Sequence, residues 1–139
     1  MDNFEFKLRI ATNREQSKRL LSLGLKPETA DCHIEITPTG IDNIHITQCY
    51  HYLMKNTVPA WSLSRLLELL PVEVPDPKIG FGPHHPELII HEKGYNISIR
   101  RYAADCLVGT HIEDNPIECC VSIIEWLIKK KSFNKEYLK

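Results

Sequence analysis

The sequence predicts an α+β fold, a single compact domain in which antiparallel strands pack against about three helices. Several short segments alternate apolar and polar residues with the period of two that half-buried strands show. Three other segments carry apolar residues at helical spacing behind residues suited to capping. Proline- and glycine-containing turns separate these segments, and 139 residues suffice for one domain with one core.

The composition is that of an ordinary globular protein. The chain is 42% hydrophobic and 25% charged, with a formal net charge of −1 at pH 7, which opposes disorder. A charge near zero gives no overall attraction to nucleic acid or to anionic lipid. No segment approaches the roughly 20 apolar residues of a membrane span, so we expect a cytoplasmic protein without a membrane partner. The five cysteines are an odd number without regular spacing, which favours reduced thiols.

The N-terminal part predicts a strand followed by a helix. Apolar and charged residues alternate over residues 4–10. Thr12 and Glu15 stand at the spacing of a capping box, which would start a helix there. That helix should run to about Leu23 and end at Gly24, which can adopt the left-handed conformation.

A hairpin and a short helix are predicted next. Residues 32–37 and 44–46 alternate on either side of a Pro-Thr-Gly turn. Ser62 can cap the following helix, Trp61 stands at the spacing of a hydrophobic staple, and Pro71 stops the helix. The predicted apolar stripe of this helix consists of Leu63, Leu66, Leu67 and Leu70.

The C-terminal half predicts a long loop, three strands and a helix. Residues 72–86 are rich in proline and form the waist between the two halves. Beyond it, an antiparallel meander is expected from residues 88–92, 95–101 and 106–111. In the last helix Asn115 caps, Pro116 takes the first position, and Glu118 completes a capping box. A C-terminal tail, 132–139, follows.

The last helix should be almost entirely apolar around its circumference, so it should pack on more than one side. Cys119 and Cys120 lie within it, and we interpret them as buried thiols rather than as chemistry, because an apolar site raises a thiol pKa. The residues expected in the core are Trp61, Leu66, Leu67, Val121, Ile124 and Leu127.

Three blocks of the chain, Arg14 to Asp31, Pro59 to Pro71 and Asp114 to Leu127, are similar to a family of small uncharacterised proteins. That family is found in phages and other mobile elements of gut bacteria. The blocks cover about a third of the chain. The resemblance implies an intact single domain of mobile-element origin, and it brings no activity, catalytic residue or cofactor with it.

Metal and enzyme chemistry find little support in the residue pattern. Structural zinc sites usually combine two pairs of closely spaced Cys or His ligands, and the seven histidines with the cysteines form no such pattern. Cys49 and His51 would share a face of an extended segment, but neither belongs to a nucleophile motif. We therefore predict no catalytic residue, no metal and no cofactor, and keep a metal-binding protein or a small enzyme as a third alternative.

A weak nucleic-acid-binding accessory protein is the second alternative. The basic residues that would carry it cluster at the first helix and at the end of the last helix, although lysines also stabilise helix C-termini. They are Arg14, Lys18, Arg19, Lys129, Lys130 and Lys131.

The favoured function is that of a non-enzymatic accessory or protein-interaction protein whose partner is another protein. Long loops within compact domains are usually functional or disordered, so the loop from Pro75 to Pro86 is the expected interaction surface. Phe81 would be the first anchor of this surface, together with the adjacent His84 and His85.

Overall fold

A computed structural model describes residues 9–39, 42–47, 56–78, 80–102 and 105–139, and within these ranges it confirms the α+β fold. The helices are α1 (Arg14–Ser22), α2 (Leu63–Leu69) and α3 (Pro116–Lys129). The first antiparallel sheet, in the order β2-β1-β3, contains β1 (Cys32–Ile36), β2 (Asp42–Ile46) and β3 (Thr57–Ala60). The second, in the order β4-β5-β6, contains β4 (His85–His91), β5 (Gly94–Tyr102) and β6 (Asp105–Gly109).

Two of the predicted features lie largely outside the described residues. The predicted strand at 4–10 is described only for its last two residues, of which Ile10 is 73% exposed. The Cys49–His51 pair lies wholly outside the described ranges.

Helix α1 begins one residue later than the sequence predicts. Asn13, not Thr12, is the N-cap, and its side chain accepts a hydrogen bond of 2.8 Å from the Gln16 N–H. The Gln16 side chain in turn accepts from the Asn13 N–H at 3.0 Å, so the capping box is real but does not use Glu15. Gly24 ends the helix with φ of +98°, as predicted.

The capping prediction failed at Thr12 because this side chain is used for a tertiary contact. Thr12 is fully buried, its hydroxyl lies 2.8 Å from the Ser17 hydroxyl, and it accepts from the Trp61 N–H at 3.1 Å. Trp61 is also fully buried, and its indole N–H donates to the Thr29 hydroxyl at 2.9 Å. The start of α1 is thereby joined to the start of α2.

The predicted hairpin is confirmed, with Ile34 of β1 opposite Ile44 of β2. Strand β3 was not predicted, because it contains Pro59, which is tolerated only at a sheet edge such as this one. All five residues of β2 are exposed, so the alternation of its isoleucines does not reflect half-burial. A small apolar cluster lies beside the first sheet and contains Ala11, Cys32, Ile34 and Ala60.

The predicted meander is also confirmed as the second sheet. Strand β4 begins at His85, inside the segment predicted to be loop, because His84 and Val74 exchange backbone hydrogen bonds of 2.7 and 2.8 Å. Gly94 opens β5 with φ of +152°, and a Cβ there would collide with the Glu113 carbonyl oxygen, so this turn requires glycine.

Helix α3 is buried on most sides, as predicted. Asn115 caps it by accepting from the Ile117 N–H at 2.8 Å, whereas Glu118 forms no capping box and instead reaches α1. Cys119 and Cys120 are fully buried; burial raises the pKa of the Cys120 thiol to about 12 and also raises that of Cys119. The buried residues of α3 are Pro116, Ile117, Cys119, Cys120, Val121, Ile123, Ile124 and Leu127.

One residue of the predicted core, Leu67, is wrong. Its exposed fraction is 37%, whereas Leu69, which the predicted stripe omitted, is 4% exposed. Leucines occur here as two pairs of neighbours, Leu66 with Leu67 in α2 and Leu69 with Leu70 at its end. Spacing alone therefore does not fix which member of each pair faces inward. The staple of Trp61 with Leu66 is consistent with the structure, since both are fully buried.

The C-terminal tail lies against the body of the protein. Phe133 is 5% exposed and packs edge-on against Tyr137. The Lys139 N–H donates to the Gly24 carbonyl at 2.8 Å, which ties the chain end to the end of α1.

Because Leu69 is buried and Leu67 is not, alanine substitutions at the two positions should differ in cost. Leu69→Ala should lower the free energy of unfolding by about 2 to 5 kcal/mol, as cavity-forming substitutions do. Leu67→Ala should cost about 1 kcal/mol or less. Urea denaturation measures both; equal costs, or a larger cost at Leu67, would contradict this orientation of α2.

The four described cysteines are free thiols, and only Cys106 is exposed. In a Cys49→Ser variant, which removes the one cysteine outside the described residues, a thiol reagent should label Cys106 in the folded protein. Cys32, Cys119 and Cys120 should react only after unfolding, because apolar surroundings exclude the reagent and disfavour thiolate. Rapid labelling of either α3 cysteine in the folded state would mean that α3 is less buried than described.

Candidate peptide-binding groove

Two neighbouring surface hollows lie between the proline-rich loop, β6 and the end of α3. They share Asp76, Pro77 and Leu107, and we call them together the groove. The larger hollow, about 480 Å³, is lined by Val74, Pro75, Asp76, Pro77, Leu107, Trp126, Lys130 and Ser132. The smaller, about 330 Å³, is lined by Asp76, Pro77, Lys78, Phe81, His84, Arg101, Asp105, Cys106 and Leu107.

A chain of charged side chains forms the floor of the smaller hollow. Arg101 is ion-paired to Asp105 and lies 3.5 Å from the Asp76 carboxylate. The His84 ring lies between the same two carboxylates, with Nδ1 3.7 Å from Asp76 and Nε2 3.4 Å from Asp105. His84 is 1% exposed, and no hydrogen-bond partner lies within reach of its Nδ1 among the described residues.

A β-bulge brings Arg101 to this position. The register of β5 against β6 shifts between Arg100 and Tyr102, which leaves Arg101 without a partner in the ladder. A bulge of this kind redirects the side chain of the extra residue. Arg101 also donates to the Gly82 carbonyl at 3.1 Å, so it ties the proline-rich loop to the second sheet.

The ion pairs change the acidity of Asp105. The hydrogen bond from Arg101, and then that from His84, lowers the pKa of the Asp105 carboxyl below its ordinary value. Asp105 therefore stays ionised at neutral pH and keeps Arg101 in place.

The Phe81 ring packs against charged side chains of the smaller hollow. The Arg101 guanidinium lies 5.0 Å from the centroid of the Phe81 ring, and the Lys78 ammonium lies 6.0 Å from it. The ring is nevertheless 55% exposed. Cations over its face hold an exposed aromatic side chain in one place.

The structure separates the three residues predicted for the interaction surface. Phe81 is exposed at the groove, as expected. The expectation that His84 lies at the surface is wrong. Its backbone pairs with that of Val74, and its ring is buried. His85 is exposed but does not line the groove; its Nδ1 lies 2.8 Å from the Val72 carbonyl oxygen.

Sequence reasoning missed Asp76, Arg101, Asp105 and Trp126 as parts of this site. Arg101 is the second of two adjacent arginines at the end of a predicted strand. Its pairing with Asp76 joins residues far apart in the chain, and a bulge that selects Arg101 over Arg100 has no clear sign in the sequence.

Several of the basic residues of the nucleic-acid alternative are already paired with acids. Arg14 is bidentate to Asp42, with Nε 2.7 Å from one carboxylate oxygen. Arg19 bridges Glu118 at 3.0 Å and Glu125 at 2.6 Å, and this contact lowers the pKa of Glu125. Lys129 lies 3.4 Å from Glu125. The remaining three, Lys18, Lys130 and Lys131, form no ion pair within the described residues and are exposed.

The geometry of the described residues supports neither a metal site nor a membrane-spanning helix. No group of three His, Cys, Asp or Glu side chains there is placed to hold a metal ion. None of the helices in these ranges has both the length and the apolar character needed to cross a membrane.

Comparison with known proteins adds no identification: no protein-family model, curated protein or solved structure matches the chain.

Arg101 should control the acidity of Asp105. In Arg101→Gln the pKa of the Asp105 carboxyl should rise toward its ordinary value, because the charged hydrogen bond is lost. Carboxyl-carbon chemical shifts recorded against pH measure this directly. In the matched variant Arg14→Gln, whose partner is Asp42, the pKa of Asp105 should not change.

The sign of the pH effect on stability follows from the same shift. A carboxyl whose pKa is lower in the folded state stabilises the protein above its unfolded-state pKa. That stability is lost as pH falls through the lowered value. Acid unfolding should therefore begin at higher pH in Arg101→Gln, and identical acid transitions, or an unchanged Asp105 pKa, would contradict the described pairing.

Proposed function

We propose that this protein is a non-enzymatic accessory protein that binds a segment of another protein in the groove. The observation that carries the proposal is Phe81, an exposed aromatic ring held in place on Arg101 at the edge of an open groove. Rigid exposed aromatic side chains are preferred anchors of protein interfaces, since little entropy is lost when they are covered. The resemblance to proteins of phages and mobile elements suggests the setting in which such a partner would be found.

The shape and lining of the groove favour an extended segment with apolar side chains. Pro75, Pro77, Leu107 and the half-buried Trp126 supply apolar walls to the larger hollow. Proline and aromatic walls suit extended chains, as in other peptide-binding modules. Phe81 in the smaller hollow would cover a second apolar side chain of the segment.

The free charges at the groove favour an acidic segment. Lys130 borders the larger hollow and Lys78 the smaller, and neither forms an ion pair within the described residues. Asp76 and Asp105 are already engaged with Arg101. Opposite charges at the rim mainly raise the rate of association and set the orientation of the partner.

The proposal can be tested without knowing the partner. Peptides selected on the purified protein from a random display library should be enriched in Asp and Glu flanking apolar or aromatic residues. The dissociation constant of a selected peptide, measured by fluorescence anisotropy, should rise about 30-fold in Phe81→Ala, as expected for loss of an anchor worth about 2 kcal/mol.

Two controls separate the groove from general effects. Phe81→Tyr keeps the ring and should keep the affinity. Lys78→Glu and Lys130→Glu should each weaken binding, most strongly at low salt, whereas Lys18→Glu on α1 reverses one lysine charge outside the groove and should not. Selection of basic peptides, or affinities that none of the groove variants changes, would overturn the proposal.

A further inference from the structure

We propose that two copies of this protein pair through the outer edge of β4, in an antiparallel arrangement centred on Ile89. This interface is separate from the groove, because Leu88, Ile89 and Ile90 do not line it.

Two residues of β4, Leu88 and Ile90, direct their backbone N–H and C=O groups toward the outer edge of the sheet. Strand β4 is at one end of the β4-β5-β6 sheet. Val74 pairs with His84 immediately before β4, and no described strand pairs with the outer edge of residues 85–91. Leu88 lies opposite Ile97, whose backbone N–H and C=O bond to Thr110, on the side of β5 that faces away from β4. Ile90 lies opposite Tyr95. Tyr95 likewise exchanges both of its backbone hydrogen bonds with Glu113, at 2.8 Å each.

In an antiparallel pair, the two opposed residues either bond to each other or both turn their backbone groups away. The backbone N–H and C=O of Leu88 and Ile90 therefore point outward from the sheet. No described residue bonds to them, so they can bond to another strand.

The side chains of these two residues are apolar and exposed. Residues directly opposite in the ladder lie on the same face, so Leu88 and Ile90 share the face of Ile97 and Tyr95, which packs on the core. Leu88 is nevertheless 37% exposed and Ile90 is 76% exposed. An edge with outward backbone groups and exposed apolar side chains is a template for strand pairing.

The sequence of β4 is complementary to itself. When Ile89 opposes Ile89 of a second copy, Leu88 opposes Ile90 of that copy on one face. Glu87 then opposes His91 on the other face, and the twofold axis repeats both contacts. Apolar pairs directly across a ladder are stabilising, and the Glu87 carboxylate opposite the His91 imidazole brings no like-charge repulsion.

Other registers lose these contacts. A shift of one residue sets outward-pointing backbone against inward-pointing backbone and exchanges the two faces. A shift of two residues in one direction places Leu88 opposite Glu92. The same shift in the other direction places Ile90 opposite Pro86, which has no N–H to donate. The complementarity therefore selects a second copy in a single register.

Sedimentation equilibrium of the full chain tests the association. The wild type should show a concentration-dependent monomer–dimer equilibrium. Ile90→Lys should raise the dimer dissociation constant at least tenfold, because lysine at an edge strand opposes pairing. Ile46→Lys is the matched control, since Ile46 is also exposed on an edge strand, in the first sheet, and it should leave the constant unchanged.

Cysteine cross-linking tests the register. In a Cys49→Ser, Cys106→Ser background, Ile89→Cys should form an intermolecular disulfide under mild oxidation, because opposed Cα atoms of a non-hydrogen-bonded pair lie about 4.5 Å apart. Glu87→Cys, two residues away on the same face, should not. A full-length chain that stays monomeric at all concentrations would overturn the proposal. Dimerisation only after removal of residues 1–8 would also overturn it, because that result would assign the edge to the chain's own N-terminal segment. Equal effects of the two lysine variants, or equally fast cross-linking at positions 87 and 89, would also overturn it.

Discussion

The burial of α3 is the constraint on which the rest of the structure depends. Eight of its 14 residues are buried, and they lie around most of its circumference. A helix with this pattern cannot be covered by one neighbour, so it requires packing on several sides. Strand β5 covers one side, where the Cys119 thiol donates to the Tyr95 carbonyl at 3.2 Å, and α2 covers another.

The polar strip of α3 completes its enclosure. Arg19 of α1 bridges Glu118 and Glu125, and the Gln16 side chain donates to Glu118 at 2.7 Å. These partly exposed contacts contribute little free energy each, but they fix the direction of α1 across α3. The first sheet is then attached through α1 and through the buried Thr12 and Trp61.

The same arrangement produces the groove. Trp126 and Lys130 lie near the C-terminal end of α3, and packing of α3 on the second sheet brings them beside Leu107 of β6. The bulge at Arg101 then gathers Asp76, Asp105 and the proline-rich loop at the adjacent edge. The groove thus forms where the end of α3 meets an irregular strand.

The sequence predicts those parts of the fold that depend on local signals. The end of α1 at Gly24, the caps at Ser62 and Asn115, the hairpin and the meander all rest on residues close in the chain. The failures arose where a distant contact decides. Thr12 bonds to Trp61 instead of capping, and the buried face of α2 is chosen by its neighbours.

The candidate site was only partly predictable for the same reason. Phe81 could be selected as an aromatic residue in a polar loop, and it is exposed. The burial of His84 depends on a backbone pairing with Val74, and the role of Arg101 depends on a bulge. Neither can be inferred from residue type or spacing, since each requires the positions of residues that are remote in sequence.

Native-state hydrogen exchange of the α3 amides tests the central role of this helix most directly. Because Cys120, Val121 and Ile124 are fully buried in α3, their amides should exchange only when the whole protein unfolds. Their exchange free energies should equal the global free energy of unfolding and should fall with urea at the same slope. Exchange of these amides at a clearly lower free energy, while those of β5 stay protected, would show that α3 opens independently and would contradict this account.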